Sequence, residues 1–164
     1  MAVAFVHQVV ATATETLAST LPTIASQQIP HNTLNSASET FGAATAVPVS
    51  VVIGIRVTLS AGAATLNLAA ALDELGRTID LTGLKVQSLR VKPVSTNANV
   101  ISLTSGASSG YNLGSSSSFK WSGYATDEAD FLWRDTNPDV DNTHKNIDFA
   151  GTGTQAIDLQ IVAG

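Results

Sequence analysis

The sequence predicts an all-β fold, an antiparallel β-sandwich or jelly roll with one short helix and an extended N-terminal arm. The first observation behind this is that several short segments alternate apolar with polar residues, as half-buried strands do. The second is that Gly- and Ser-rich stretches separate these segments, as turns separate the strands of a sandwich. The third is composition, since Ala, Gly, Ser and Thr fill about two in five positions.

The composition also excludes several classes of protein. Of the 164 residues 44% are hydrophobic but only 13% are charged, whereas about a quarter is usual in a soluble domain. A net charge of −5 argues against a nucleic-acid partner, and the absence of cysteine excludes a disulfide scaffold. No apolar run reaches the roughly 18 residues of a membrane helix, so no membrane partner is expected. Because no Lys or Arg precedes the first apolar residues, we expect a chain made in the cytoplasm without a secretory signal.

Residues 1–35 are interpreted as the N-terminal arm. Their only ionisable residues are Glu15, His7 and His31, and a weak alternation at the start predicts a strand. A helical turn is predicted over Thr12–Thr20, although threonine disfavours helix. An uncharged segment with scattered apolar anchors is typical of an arm that lies on another subunit, while an ordinary first strand plus loop is the alternative. The candidate partner-binding residues are Val3, Phe5, Val9, Leu17 and Leu21.

Residues 36–164 are interpreted as the sandwich domain. The alternation of Ile53–Leu59 predicts a half-buried strand, and Thr65–Leu68 predicts a short one. The helix formers of Ala69–Leu75 predict the short helix, with Gly76 at its C-terminal end. Ile79 and Leu81 return to the strand pattern.

A phase slip marks the long strand predicted over Leu84–Val94. Apolar residues change parity between Val86 and Leu89, which a β-bulge at Gln87-Ser88 would reconcile. Further strands are predicted at Ile101–Leu103 and at Ile157–Ile161, and the latter ties the C-terminal residues into a sheet.

Between these strands lie a serine run and two aromatic pairs. Ser115–Ser118 predicts an exposed loop. The pairs are interpreted as core or subunit-contact residues rather than as a platform that stacks on bases or sugars. Their members are Phe119, Trp121, Phe131 and Trp133.

The net charge is concentrated in one segment. Residues 127–148 contain seven acids and two bases, and the rest of the chain has six of each. Asp135, Asn137, Asp139 and Asp141 are spaced by two, a pattern that could converge on calcium, but the Gly and Glu of an EF-hand loop are missing. We therefore favour a solvated acidic loop and count these four residues only as weak metal candidates.

No constellation in the sequence predicts catalysis. The histidines accompany no nucleophile elbow, zinc-protease pair or cysteine, and no phosphate-binding glycine loop is present. The neighbouring acids Asp73 and Glu74 would face different directions on a helical turn. A basic set on the middle strands is better explained by salt bridges than by phosphate contacts: Arg56, Arg77, Lys85, Arg90 and Lys92. The sequence thus predicts a protein that is not an enzyme and has no cofactor.

Two stretches resemble small virion-associated structural proteins of tailed bacteriophages. These are the segment LNLAAALDELGRTIDLTGLKVQSLRV at residues 66–91 and the ending DLQIVAG at residues 158–164. The similarity lies in strand and turn features over about the last 100 residues. It does not extend to the arm or to the acidic segment.

The resemblance implies a capsid decoration, or cement, protein on the surface of the virion. Such a protein would be a homotrimer that binds between subunits of the major capsid protein and stabilises the head. A tail, neck or head-fibre component is the alternative within the virion. A calcium-dependent carbohydrate-binding module that uses Trp121, Trp133 and the acidic segment is the alternative from a different class.

Overall fold

The computed structural model describes residues 4–9, 14–17, 27–30, 37–42 and 48–164. Within these residues the chain forms β-strands and two short 3-10 turns. Four strands precede residue 48: β1 (Ala4–Val9), β2 (Thr14–Leu17), β3 (Gln27–Pro30) and β4 (Ala37–Gly42). The remaining strands are β5 (Val51–Thr58), β6 (Ala63–Asn67), β7 (Ala71–Leu72), β8 (Thr78–Ile79), β9 (Val86–Pro93), β10 (Ile101–Ser105), β11 (Lys120–Gly123), β12 (Ala129–Leu132), β13 (Asn146–Ala150) and β14 (Ala156–Ala163).

Two four-stranded antiparallel sheets pack face to face, which confirms the predicted sandwich. The front sheet has the strand order β12-β9-β14-β5, and the back sheet has the order β11-β10-β13-β6. The pairs β5 with β14, β6 with β13, β9 with β12 and β10 with β11 nest inside one another along the chain. One long antiparallel hairpin folded over into two sheets has this order, which is the jelly-roll arrangement.

The core between the sheets follows from period-two alternation. In β14, Ile157, Leu159 and Ile161 point inward, and all three are at most 3% exposed. The equivalent positions of β5 and β9 are buried as well, so each front-sheet strand contributes one face to the core. The strand predicted at Ile157–Ile161 is thus confirmed, and it lies in the middle of the front sheet.

The β-bulge predicted in β9 is also confirmed. Opposite β14, Val162 pairs with Ser88 but Ala163 pairs with Val86, so Gln87 is the extra residue. Gln87 is only 2% exposed, and its Nε2 donates a hydrogen bond to the carbonyl of Pro48 at 2.7 Å. The bulge restores the inward phase of the apolar residues on both sides of it.

The helix predicted over Ala69–Leu75 does not form. A 3-10 turn covers Leu68–Ala70, and the two-residue strands β7 and β8 follow with a turn between them. Asp73 explains the difference, because its Oδ1 accepts hydrogen bonds from the backbone N–H groups of Leu75 and Arg77. This capping of a turn competes with helix, and Gly76 with φ +74° completes the turn rather than a helix end.

The N-terminal strands form two separate ladders. Strand β1 pairs with β4, and β2 pairs with β3. The helical turn predicted over Thr12–Thr20 is wrong at Thr14–Leu17, where threonine-rich sequence forms β2. The division at residue 35 stays a prediction, and the ladder of β1 with β4 crosses it.

Tyr111 connects strand β9 to the acidic segment. Its side chain is fully buried, its hydroxyl accepts a hydrogen bond from Val86 N at 2.9 Å, and it donates one to the Pro138 carbonyl at 2.7 Å. Burial raises the pKa of this phenol well above its usual range, so the hydroxyl keeps its proton.

We predict that Tyr111→Phe lowers the free energy of unfolding by about 1–3 kcal/mol, because two buried backbone groups lose their partner. Urea unfolding followed by far-UV circular dichroism measures this. The control is Tyr124→Phe, at a residue that is 58% exposed, and it should stay within about 0.5 kcal/mol of the wild type. Equal stability of the two variants would contradict the role of Tyr111.

Candidate interaction surface

The outer face of the front sheet has apolar and charged residues in separate rows. Strand register places its outward residues in three rows across the four strands. The outer apolar row is Leu132, Ser88, Val162 and Val52; the middle row is Asp130, Arg90, Gln160 and Gly54; the charged row is Lys92, Asp158 and Arg56.

Ion pairs join neighbouring strands within the polar rows. Arg56 makes a bidentate contact with Asp158, at 2.6 Å from Nε and 2.7 Å from Nη2. Glu128, which precedes β12, accepts from Lys92 Nζ at 2.6 Å and from Arg90 Nη2 at 2.8 Å. These bonds, that from Lys92 foremost, hold the pKa of Glu128 below its usual value.

The predicted use of the basic set in salt bridges is therefore confirmed. Lys85 and Arg77 complete the set, with contacts of 2.7 Å to Asp135 and 2.6 Å to Asp73. Exposed pairs of this kind each contribute little to stability. Their main effect here is to fix long side chains in place and to leave a neutralised surface.

A shallow groove of about 400 Å³ runs along these rows beside Gly54. Glu74 N donates to the Gly54 carbonyl at 3.0 Å, which brings the Glu74 carboxylate over the strand. A Cβ added at position 54 would lie 3.0 Å from Glu74 Oε2, so a larger residue there would have to move the flexible end of this side chain aside. Asp73, the preceding residue, is buried against Arg77, so the side chains of these neighbouring acids lie in different directions.

The outer apolar row is covered by the N-terminal strand β1. Phe5 packs against Val162 and Val49, each only 1% exposed, with Val52 and Leu132 at the edge of the cluster. Sequence reasoning missed this second cluster. The doublets Val51-Val52 and Ile161-Val162 are its signal, since a strand that is apolar on consecutive residues is covered on both faces.

The structure describes only part of the predicted partner-binding set. Phe5 is half-buried on its own chain's sandwich, and Val6, on the opposite face of β1, is 56% exposed. Val9 and Leu17 lie in β1 and β2, and Val3 and Leu21 lie outside the described residues. The contact of this set with a partner stays a prediction.

The acidic segment is not one loop, because it contains β12 and the start of β13. Three of its four weak metal candidates, Asp135, Asn137 and Asp141, have separate partners. Asp135 binds Lys85, and Asp141 accepts from the hydroxyl and N–H of Thr143 and from His144 N, which holds the pKa of Asp141 far below its usual value. Within the described residues no three His, Cys, Asp or Glu side chains lie together as metal ligands would.

Asn137, the one amide among the four metal candidates, has a structural role. It is 1% exposed, donates from Nδ2 to Val86 O at 2.6 Å and accepts at Oδ1 from Gly114 N at 2.5 Å. Both ends of the amide therefore serve backbone groups of other segments. Together with Tyr111 it attaches the stretch after β12 to strand β9.

The aromatic pairs lie against the core, as predicted. Phe131 and Trp133 stack with ring centroids 5.4 Å apart, and Phe119 meets both rings edge-on. All three are half-buried and pack against the main core. Trp121 lies over Gly123, where a Cβ would come within 2.6 Å of its ring. Because they stack, Phe131 and Trp133 each have one ring face occupied by the other. The serine run 115–118 is exposed, as predicted.

Comparison with protein families, with curated proteins and with solved structures gives no match to this chain. In the described part of the chain, no helix is long and apolar enough to cross a membrane.

Asp73, in the turn that also contains Glu74, should make the stability of the protein depend on pH. Hydrogen bonds to its carboxylate, first that from Arg77 N, hold the pKa of Asp73 below its usual value near 3.8 in the folded protein. A lowered folded-state pKa adds stability at pH values above 3.8, and this part is lost as the pH falls through the folded-state value. We predict that wild type exceeds Asp73→Asn in stability at pH 6 and that the gap narrows below about pH 4.

Urea midpoints measured from pH 6 to pH 2.5 test this. Arg77→Met keeps the backbone N–H and loses only the guanidinium, so its stability loss should be smaller, should also narrow in acid, and should add little to that of Asp73→Asn in the double variant. A stability difference between wild type and Asp73→Asn that grows as the pH falls would contradict a lowered pKa of Asp73 in the folded protein.

Gly114 allows Trp133 to reach its position. Gly114 has φ +65°, and a Cβ there would lie 3.0 Å from Trp133 Nε1. Gly153 is a matched control, since it has φ +62° with nothing within 4 Å of an added Cβ. We predict that Gly153→Ala costs about 1–2 kcal/mol for the backbone alone. Gly114→Ala should cost more and also change the near-UV circular dichroism. Equal losses with unchanged near-UV spectra would show that Trp133 does not constrain the position.

Proposed function

We propose that this protein is a bacteriophage capsid decoration protein, a non-enzymatic homotrimer that stabilises the head by binding between subunits of the major capsid protein. The sequence resemblance suggests the class. The observation that carries the proposal is the pair of N-terminal two-stranded ladders, which lie outside both sandwich sheets.

The ladders favour assembly for a physical reason. A two-stranded sheet is at best marginally stable in water by itself, because it cannot bury both of its faces. A low-charge segment built from such pairs gains stability when it lies on another protein, where extended strands can also bind a sheet edge. Residues 1–42 contain no Lys or Arg and only Glu15 and Glu39 as acids, so docking them desolvates few charges.

The sandwich has features that suit the same role. Tyr111 and Asn137 bind backbone groups, and the outward ion pairs neutralise one another. Such a body resists unfolding and presents a hydrated surface. In this proposal the arm makes the capsid contact through Leu17 and Leu21, and the sandwich faces outward.

The direct test adds the full-length protein to phage heads that were assembled without it. Leu17→Asp/Leu21→Asp should lower head binding at least tenfold, because charged groups would replace apolar anchors. Thr16→Asp/Thr20→Asp is the matched control, with the same added charge at neighbouring positions, and should retain most of the binding.

Two further measurements decide the class. Gold-labelled antibody should cover the head surface evenly, and light scattering should give about three times the chain mass of 16.9 kDa. Label confined to the tail or to a single vertex would overturn the decoration proposal in favour of a tail, neck or fibre component.

A further inference from the structure

Phe5 docks on a defined patch of the sandwich. The patch is the outer apolar row of the front sheet together with Val49 beside it. Val162 in its centre is flanked by Val52 on β5 and by Ser88 on β9, and Leu132 closes the row on β12. This row is the apolar end of a face whose other two rows are polar.

The docking of Phe5 is loose at its inner side. A narrow gap, too small for a water molecule, remains between Phe5 and the sheet beside Val162 and Leu132. Gln87 lines this gap, and its buried Oε1 accepts no hydrogen bond from the residues that the structure describes. A buried acceptor without a donor is unfavourable. The patch therefore has room for a closer fit of the strand that covers it.

Only a short stretch of chain connects the arm to the sandwich. The Gly42 carbonyl at the end of β4 accepts a hydrogen bond from Val49 N at 3.2 Å, and the ladder of β1 with β4 reaches the patch through Phe5. In the sequence only residues 43–47 and Pro48 separate β4 from Val49. A change of direction in this short connection would carry the whole ladder to another molecule.

We infer that the patch is the docking site for Phe5 of a neighbouring copy of this chain, so that the arms are exchanged around the trimer. This inference rests on the proposed function and names the contact that closes its trimer. Each copy gives its β1–β4 ladder to the next copy and receives one from the previous copy. A head-to-tail contact of this kind closes into a ring when the rotation between copies is a third of a turn.

Three observations support the neighbouring copy as the occupant. The arm already fits the patch, and an exchanged arm makes the same side-chain contacts between molecules that it makes within one. The near absence of charge in residues 1–42 removes the repulsion that would oppose bringing three arms together. The gap beside Gln87 leaves room for β1 to lie closer to the patch than it does within one chain.

The experiment replaces Phe5 with benzoylphenylalanine, a photo-cross-linker that keeps an aromatic ring at this position. Isotope-labelled and unlabelled full-length chains are unfolded together in equal amounts, refolded and irradiated, and the cross-linked peptides are identified by mass spectrometry. Native mass spectrometry first establishes that the assemblies contain both kinds of chain. Benzoylphenylalanine in place of Val6, on the exposed face of β1, is the matched control.

If the arms are exchanged, Phe5→benzoylphenylalanine joins peptides that contain Leu132 or Val162, and about half of the joined pairs combine a labelled with an unlabelled chain. The Val6 variant gives few such pairs. Pairs with one label only, in assemblies of mixed label, would mean that Phe5 docks on its own chain, and the inference would be wrong. A purely monomeric protein whose cross-links are all internal would overturn it as well.

A second pair of variants keeps the inference testable if the cross-linker disturbs docking. Phe5→Asp should convert the trimer to monomer in light scattering while leaving the urea midpoint of the sandwich nearly unchanged, and Val6→Asp should leave the trimer intact. A stable trimer of Phe5→Asp would overturn arm exchange. Head binding distinguishes the two proposals, because exchanged arms in a protein that does not bind heads would refute only the decoration function, and a head-binding protein with internal cross-links would refute only the exchange.

Discussion

Strand β14 is hydrogen-bonded on both sides, and the rest of the sandwich depends on that placement. It pairs with β5 over eight residues and with β9 across the bulge at Gln87. Its inward residues form the middle of the core, and its outward residues occupy the centre of all three rows of the outer face. Because neighbouring strands take their register from β14, the positions of the ion pairs on the outer face and of the apolar row follow from it.

The sequence was most informative where one strand carries its own pattern. Alternation located β5 and β14, and the change of parity between Val86 and Leu89 was enough to predict the bulge. It was least informative where a side chain decides the backbone, as at Asp73, whose capping of a turn prevailed over the helix propensity of its neighbours. The sequence also did not predict which strands pair. Arg56 and Asp158 are 102 residues apart, and the residues around one give no indication of the other.

The acids that cluster in one segment of the sequence are partly paired with distant basic residues in the structure. The acid-rich segment contains all of the net charge, but three of its acids meet cations of the neutral part of the chain across strand boundaries: Glu128, Asp130 and Asp135. Asp135 and Asn137, two apart in sequence, point to a surface lysine and to buried backbone groups, so their spacing does not bring these two side chains to a common point. Regular spacing predicts convergence only where the backbone is a tight loop, and Asn137 is held by strand β9 instead.

The nesting of strand pairs along the chain also affects the rates at which the protein folds and unfolds. The outermost pair, β5 with β14, joins segments about 100 residues apart, and closing so long a loop costs conformational entropy. Folds with such distant contacts cross a high barrier slowly. At a given equilibrium stability, slower folding implies proportionally slower unfolding, so a molecule once folded persists by kinetics as well as by thermodynamics. In the proposed decoration role, slow unfolding would keep each copy folded over the lifetime of the particle.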